Sequence, residues 1–424
     1  MLNSLKQNFK LYRNLIFIIM GICYLLVFFH RVAPAVVAID MMDDLKAGAT
    51  LIGFLASGYF YPYAIMQLPT GILSDSWGPR KTISLFFLIA AVGSIFLGLS
   101  MNISLAIIGR ILVGLGVSTL YVCALKILSQ WYKGEEFATM TGFLIAMGGV
   151  GLLVSTVPLA ILSNALGWRI PFILTGVLTL LLAIVVWIFV RNCPQDLGMK
   201  SVCPNSSSKK ENVSIYKGAL KILRHKYFWP ASIWMFCTMS IYLSFGGLWG
   251  GPYLIQIYGM TKVEASRVLS MIAVGMIIGS PLMGLLSDLI KRRKIVVITS
   301  SFILLFLMSF LYYKVSSIPT IGLYLICLGI GLFSVGTVAI GYALIKDLFP
   351  IEIAGTSTGI ANFFPFLMGA IYQPLMGHIL EIYGKVGDSY TVIGYQNAFL
   401  VLLISSIVAL ISSFFIKETN AMSN

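Results

Sequence analysis

A chain of 424 residues that is 58% hydrophobic and only 10% charged, with a mean hydropathy of +0.94, cannot hide its apolar side chains inside a water-soluble globule. Soluble domains carry about 25% charged residues, so the expected solvent is a bilayer. The net charge of +14 would suit a nucleic-acid surface only if it were gathered on one face. It is spread in a way that reports topology, and no nucleic-acid partner is expected.

Spanning a hydrocarbon core about 30 Å thick takes about 20 apolar residues. Twelve runs meet that length: 15–39, 50–73, 82–100, 103–127, 139–164 and 170–190, then 228–257, 266–288, 295–314, 319–345, 357–379 and 395–416. The first follows Lys6, Lys10 and Arg13 and is too long for the core of a cleavable signal, so it is expected to be a membrane helix. Between the sixth and seventh runs, residues 191–226 hold Pro194, Pro204, Ser206, Ser207, Ser208, Lys209 and Lys210 without a sustained apolar period, which predicts a linker. The expected organisation is therefore a six-helix bundle over 1–190, a linker over 191–226 and a second six-helix bundle over 227–424.

Lys and Arg mark the cytoplasmic side of a membrane protein. With the N-terminus placed there, that side collects 21 of the 29 cations and the opposite side six, while Arg31 and Arg110 fall within spans. N-terminus, linker and C-terminus are expected to be cytoplasmic.

The loop after the second run reads Gly71-Ile-Leu-Ser-Asp75-Ser-Trp-Gly78-Pro-Arg80-Lys81, and it is echoed at Gly284-Leu-Leu-Ser-Asp288-Leu-Ile-Lys-Arg-Arg293-Lys294. Two further echoes, Gly114-Leu-Gly116 with Gly329-Ile-Gly331 and Glu136 to Gly142 with Glu352 to Gly359, indicate an internal duplication. Gly71 would let the second helix approach a neighbour closely. Asp75 would face the positive N-terminal end of the eleventh helix near Gly355 and Thr356, with Arg80 and Lys81 holding Asp75 or nearby carbonyls. In the second copy Lys291 replaces Gly78, so a turn needing positive φ is expected to be less secure there.

Twelve spans, a central linker and the G-x-x-x-D-x-x-G-x-R-K loop resemble the major facilitator superfamily over the whole chain. Arg110-Ile-Leu-Val-Gly114-Leu-Gly116 resembles that superfamily's R-x-x-x-G-x-G signature, and Gly148, Gly149, Gly151 and Pro158 partly match its fifth-helix motif. The resemblance implies an all-α integral membrane protein with 12 transmembrane helices in two pseudo-symmetric six-helix bundles. It also implies that Gly71, Asp75, Gly78, Arg80, Lys81, Asp288 and Arg293 act in gating, and that Arg110 serves structure or proton coupling.

Ionisable groups within spans cost about 2.5–3.5 kcal/mol on insertion scales and are functional candidates by default. In the first span, Phe28-Phe-His30-Arg31-Val-Ala-Pro34 places both His30 and Arg31 deep in apolar sequence, where both are expected to face a central cavity. Arg31 suits an anionic ligand through its planar fork, or it could snorkel or pair with Asp40, Asp43 or Asp44. His30 could carry a coupled proton, or it could be a hydrogen-bonded packing histidine that faces another side chain and not the cavity. The other expected cavity residues are Tyr59, Tyr63, Gln67, Tyr121, Tyr242, Trp249, Asn362 and Gln373. Of these, Tyr59, Tyr63 and Gln67 share one helical face. The glycine-rich Gly246-Gly247-Leu-Trp249-Gly250-Gly251-Pro252 invites helix breaking and close ligand approach.

The seventh helix has no arginine to match Arg31, which disfavours a dianionic phosphate and favours one carboxylate: an amino acid, small peptide or organic acid. The segments around His30-Arg31 and Tyr59 to Pro69 resemble the bacterial subgroup that includes phagosomal nutrient transporters of intracellular bacteria. That resemblance implies amino-acid or nucleoside uptake and an inner-membrane location. The expected activity is proton-coupled secondary transport by a monomer, with a proton or counter-solute as second partner and no cofactor or metal. An organophosphate antiporter and a transporter-like membrane sensor remain alternatives. No nucleophile–base pair, P-loop or H-E-x-x-H occurs, so an enzyme is not expected.

Overall fold

The computed structural model describes residues 9–199 and 215–418 and is almost wholly helical. Among the described residues, eleven helices are long and apolar enough to cross a membrane, and a bent pair makes the twelfth. In chain order, spans 1 to 6 are Phe9–Asp44, the bent pair Ala49–Ile65 with Pro69–Ser76, Pro79–Leu99, Ile103–Trp131, Thr139–Leu166 and Arg169–Phe189. Spans 7 to 12 are Phe228–Tyr258, Lys262–Ser287, Arg293–Tyr313, Thr320–Lys346, Thr356–Tyr383 and Val392–Phe415.

Span 2 departs from the single helix expected over 50–73. It breaks after Ser57 and again at Met66 and bends by 58°. Gly58, Pro62 and Pro69 account for this, since proline removes a ladder donor and crowds the preceding turn. Span 7 carries a π-helical stretch over Tyr242–Trp249, and span 10 another over Gly331–Val335. The helix breaking expected of the glycine-rich segment is thus met by an over-wide turn within a continuous span.

Burial orders the spans radially. Spans 6 and 9 are only 33% and 39% buried, whereas spans 1 and 7 are 72% and 83% buried. The first pair therefore faces lipid and the second lies at the centre. Contact between the first six spans and the last six runs through span 1 against 7, span 2 against 11 and span 5 against 8. At the first of these a Cβ on Gly251 would lie 1.9 Å from the carbonyl oxygen of Ala35, so only glycine lets the two backbones meet. The glycine serves helix contact where the sequence suggested ligand approach. Gly71 is the converse: a Cβ there would meet nothing within 4 Å, so the close approach expected of it is absent.

One end of the bundle carries the loops after spans 2, 6 and 8 and is called here the linker end. The linker itself is not featureless. A 3-10 turn over Pro194–Leu197 and a helix over Ile215–Leu223 lie within it, the latter too short to have met the criterion for a span. At the far end, Lys385–Val386 and Ser389–Tyr390 form a small antiparallel hairpin between spans 11 and 12, with Gly387 at φ 62° in its turn.

Candidate functional site

Successive residues on a helix point about 100° apart, so His30 and Arg31 cannot both face one cavity. Arg31 turns to the interface between the two sets of spans. Its guanidinium carbon lies 4.4 Å from the ring centre of Phe28, 5.3 Å from Tyr63 and 5.0 Å from Phe366 of span 11. Tyr59, Tyr24 and Tyr242 of span 7 are close enough for their phenol groups to act on its charge. Arg31 is 5% exposed, its Nε has no hydrogen-bond partner, and no carboxylate pairs with it among the described residues. Two of the three carboxylates considered as alternatives are otherwise engaged, Asp40 accepting from Lys262 at 2.5 Å and Asp44 pairing with Arg169, and Asp43 lines a separate pocket with Gln256 and Lys385. A fully desolvated guanidinium in an aromatic cage built from both sets of spans is the central feature.

Polar groups lie close to this cage. Tyr342 OH donates to Asn362 Oδ1, and Asn362 Nδ2 donates to Gln67 Oε1 at 2.7 Å. Gln67 Nε2 in turn donates to the Tyr63 carbonyl at 3.0 Å. This chain crosses from span 10 through span 11 to span 2. Tyr121 stacks on Tyr24 at 5.5 Å, and Tyr24 packs edge-on against Phe28 at 5.1 Å. The Tyr242 hydroxyl has no partner and lines a small cavity with Val32, Ala35, Gly246 and Ile272. Of the expected residues, Arg31, Tyr59, Tyr63, Gln67, Tyr121, Tyr242 and Asn362 therefore gather at or around one locus. Phe28, Tyr24, Tyr342 and Phe366 join them. Tyr24 and the two phenylalanines carried no sequence signal, because aromatics are common throughout the spans.

His30 is elsewhere. Its Nε2 lies 3.4 Å from the Thr179 hydroxyl of span 6, its Nδ1 has no partner, and it is wholly buried among the first six spans. The expectation that it faces the same cavity as Arg31 is corrected by the helical phase. Arg110 donates from Nη1 to the His30 carbonyl at 2.7 Å and packs 5.1 Å from the Tyr59 ring centre, with Nε and Nη2 unpartnered. Trp249 and Gln373 also lie apart from the cage. Trp249 Nε1 donates to the Gln373 carbonyl and Gln373 Nε2 to the Leu243 carbonyl, each at 2.9 Å, which fastens span 7 to span 11.

At the linker end, Lys126 of span 4 donates to Asp75 Oδ1 at 2.7 Å and to the Ser74 carbonyl at 2.6 Å. Arg80 turns to span 6, where its Nε donates to the Trp187 carbonyl at 2.8 Å and its backbone N–H to Asn192 Oδ1 at 2.9 Å. It thus holds a nearby carbonyl, as expected, while Lys81 is exposed. Gly78 has φ 85° with ψ 148° and Lys291 has φ 55° with ψ 21°, so both copies turn through positive φ, the second in the left-handed helical region that a lysine can enter. Arg293 pairs with Asp347. Gly355 falls within the helix Ile351–Tyr383, and its surroundings and the side chain of Asp288 lie outside what is described.

Comparison with known proteins bears on the whole chain. The family model described as Major Facilitator Superfamily matches residues 17–373 and 252–423. A Bacillus subtilis protein named "Probable galactarate/D-glucarate transporter GudP" is 24% identical over 88% of this chain and 86% of its own length. One from Chlamydia muridarum named "Probable hexose phosphate transport protein" is 24% identical over 98% of this chain and 93% of its own. Among solved structures, the nucleoside transporter NupG superposes with a TM-score of 0.77 at 13% identity, covering 95% of this chain and 100% of that one. A bacterial homologue of the lysosomal transporter Spinster, solved inward-facing, gives 0.75 at 16% identity, covering 96% of each. The chain belongs to the major facilitator superfamily and is a multi-pass membrane transporter of small molecules.

Proposed function

We propose that this protein takes up a small organic anion, with a sugar acid as the favoured class, by alternating access between bundles formed by spans 1–6 and 7–12. The observation that carries this reading is the Arg31 cage. A buried guanidinium without a counter-charge is costly, and a bound carboxylate supplies a partner that matches its fork. The tyrosine hydroxyls and the Gln67 and Asn362 amides near the cage supply partners for sugar hydroxyls.

An amino acid or peptide fits less well than the sequence suggested. Its ammonium group would enter a site where Arg31 is already cationic and has no carboxylate paired to it. A sugar acid brings no such cation. The name of the Bacillus subtilis relative, a probable galactarate/D-glucarate transporter, points the same way. Hexose phosphate is the second reading, supported by the Chlamydia relatives that align with 96% and 98% of the chain.

In this reading the linker end faces the cytoplasm of a bacterium and the protein acts as a monomer in the inner membrane. An inward proton gradient drives uptake. His30 carries the coupled proton, with Arg110 positioning it through the His30 carbonyl. Gly71, Asp75, Gly78, Arg80 and Lys81, with Asp288 and Arg293 of the second copy, control closure at the cytoplasmic end.

The test is uptake by purified protein in liposomes, offered hexonates, hexarates, hexuronates, hexose phosphates and amino acids under an inward proton gradient. Arg31→Ala should reduce anion uptake by about 100-fold or more while the protein remains folded, and Arg31→Lys should restore little of it because the bidentate fork is lost. Transport of neutral amino acids without any anion would sink the reading. For coupling, wild type and His30→Gln are compared across pH, and identical pH profiles would remove His30.

A further inference from the structure

The linker closes on span 7 through a short helix that docks an apolar residue and leaves Lys221 exposed. Within Ile215–Leu223, Ile222 is fully buried in a cluster with Phe228, Phe349 and Ile416, while Lys221 and Leu223 are exposed. A tight turn follows, fixed by the Arg224 N–H donating to the Leu220 carbonyl at 3.1 Å and by Trp229 Nε1 donating to the Leu223 carbonyl at 2.9 Å. Beyond the turn, Lys226 places its ammonium 4.9 Å from the centre of the Tyr227 ring. Lys417, arriving from the end of span 12, places its own 5.1 Å from the same ring.

Four exposed cations, Lys221, Arg224, Lys226 and Lys417, thus border one apolar cluster at the rim of the bundle. None of them makes an ion pair among the described residues. Two nearby acids are engaged elsewhere: Glu418 accepts from the Lys294 backbone N–H at 3.2 Å, and Asp347 is held by Arg293. On the same rim, Trp229 is 39% exposed and Phe415 67% exposed, as suits side chains at the boundary between headgroups and acyl chains.

We propose that Lys221, Arg224, Lys226 and Lys417 bind the phosphodiester headgroup of an anionic phospholipid, with Trp229 and Phe415 against its acyl chains. Cations beside a bilayer attract anionic headgroups, and ammonium and guanidinium donors form charge-assisted bonds to phosphate oxygens. A basic helix with its apolar side buried lies naturally in the interfacial plane. The exposed aromatics decide for a lipid over a soluble phosphate, which has no chains to cover them.

Native mass spectrometry of the full-length protein, released from nanodiscs containing equal phosphatidylglycerol and phosphatidylcholine of matched chains, tests the assignment. Wild type should retain phosphatidylglycerol with a preference of about tenfold or more. The variant Lys221→Gln/Arg224→Gln/Lys226→Gln/Lys417→Gln should lose that preference, with its thermal midpoint recorded to show that it is folded. A control, Lys314→Gln/Lys385→Gln at the far end, should keep it, as should the charge-preserving Lys221→Arg/Lys226→Arg/Lys417→Arg. Equal retention of the two lipids by wild type, an undiminished preference in the fourfold variant, or displacement of the lipid by millimolar inorganic phosphate would each overturn the proposal.

Discussion

The two ends of the bundle are tied in different ways. At the far end, polar contacts cross between the first six and last six spans: Lys262 to Asp40 at 2.5 Å, the Thr50 N–H to Glu381 at 3.1 Å, and the Ala49 N–H to the Tyr390 hydroxyl at 3.0 Å. At the linker end, Arg13–Glu136, Lys126–Asp75 and Arg293–Asp347 each join spans of a single set. On that side of the cage the neutral Asn362–Gln67 bond crosses between the sets, and span 11 packs against Gln67–Ser76. Contacts within a set hold a body together, and contacts between sets hold a state. The far end therefore carries charged contacts that hold this conformation, while the three linker-end pairs strengthen the sets they lie in.

The contrast can be broken most forcefully at Gly251. Gly251→Val puts atoms where the Ala35 carbonyl now sits, and overpacking of about 1–3 kcal/mol should shift the population towards a far-end-open state by about tenfold or more. Distances between spin labels on spans 1 and 7 should lengthen. An unchanged distance distribution would mean that the backbone contact does not define the state.

A smaller shift is expected from Lys262→Met combined with Glu381→Gln. Both sites are partly exposed, and such pairs contribute about 0.2–1 kcal/mol each, so far-end accessibility to a thiol reagent should rise about three- to tenfold. A matching change from Lys126→Met would erase the distinction between the ends.

The smallest effect belongs to Glu136→Gln. The Arg13 side chain, and after it the Lys133 backbone N–H, hold the Glu136 carboxyl below the usual carboxylate range. The stabilisation is fully present above the ordinary carboxylate value and is lost as pH falls through the depressed one. At neutral pH the variant should lose roughly 0.5 kcal/mol or less, read as a slight fall in thermal midpoint, and the difference from wild type should vanish in acid. A larger, pH-independent loss would point to a packing role.

Much of the architecture was legible because it follows from one-dimensional rules. Run length located all twelve spans, and composition singled out Arg31 as a buried cation and the glycine-rich segment as a departure from the α-helix. What escaped depends on how helices are rotated about their axes. Nothing in Phe29-His30-Arg31 says which side chain faces the interface, and Trp249 and Gln373 were grouped with the site although they fasten spans 7 and 11 together. The crossing charges Asp40, Lys262 and Glu381 sit at helix ends, where charges are common, so their pairing was visible only once the far end was assembled. Lys291 was expected to make its turn less secure; the fold places it at φ 55° and ψ 21°, in the small left-handed region open to non-glycine residues, whereas Gly78 sits at ψ 148°.

The meeting of Gly251 with the Ala35 carbonyl has a mechanical meaning. Two surfaces padded with side chains can settle at many separations, trading one rotamer for another. Two bare backbones have no such cushion, and the distance at which they touch is set by atoms that cannot rearrange. Spans 1 and 7 should then behave as a hard stop that is either seated or not, giving the far end a detent where a longer side chain would have given it a spring.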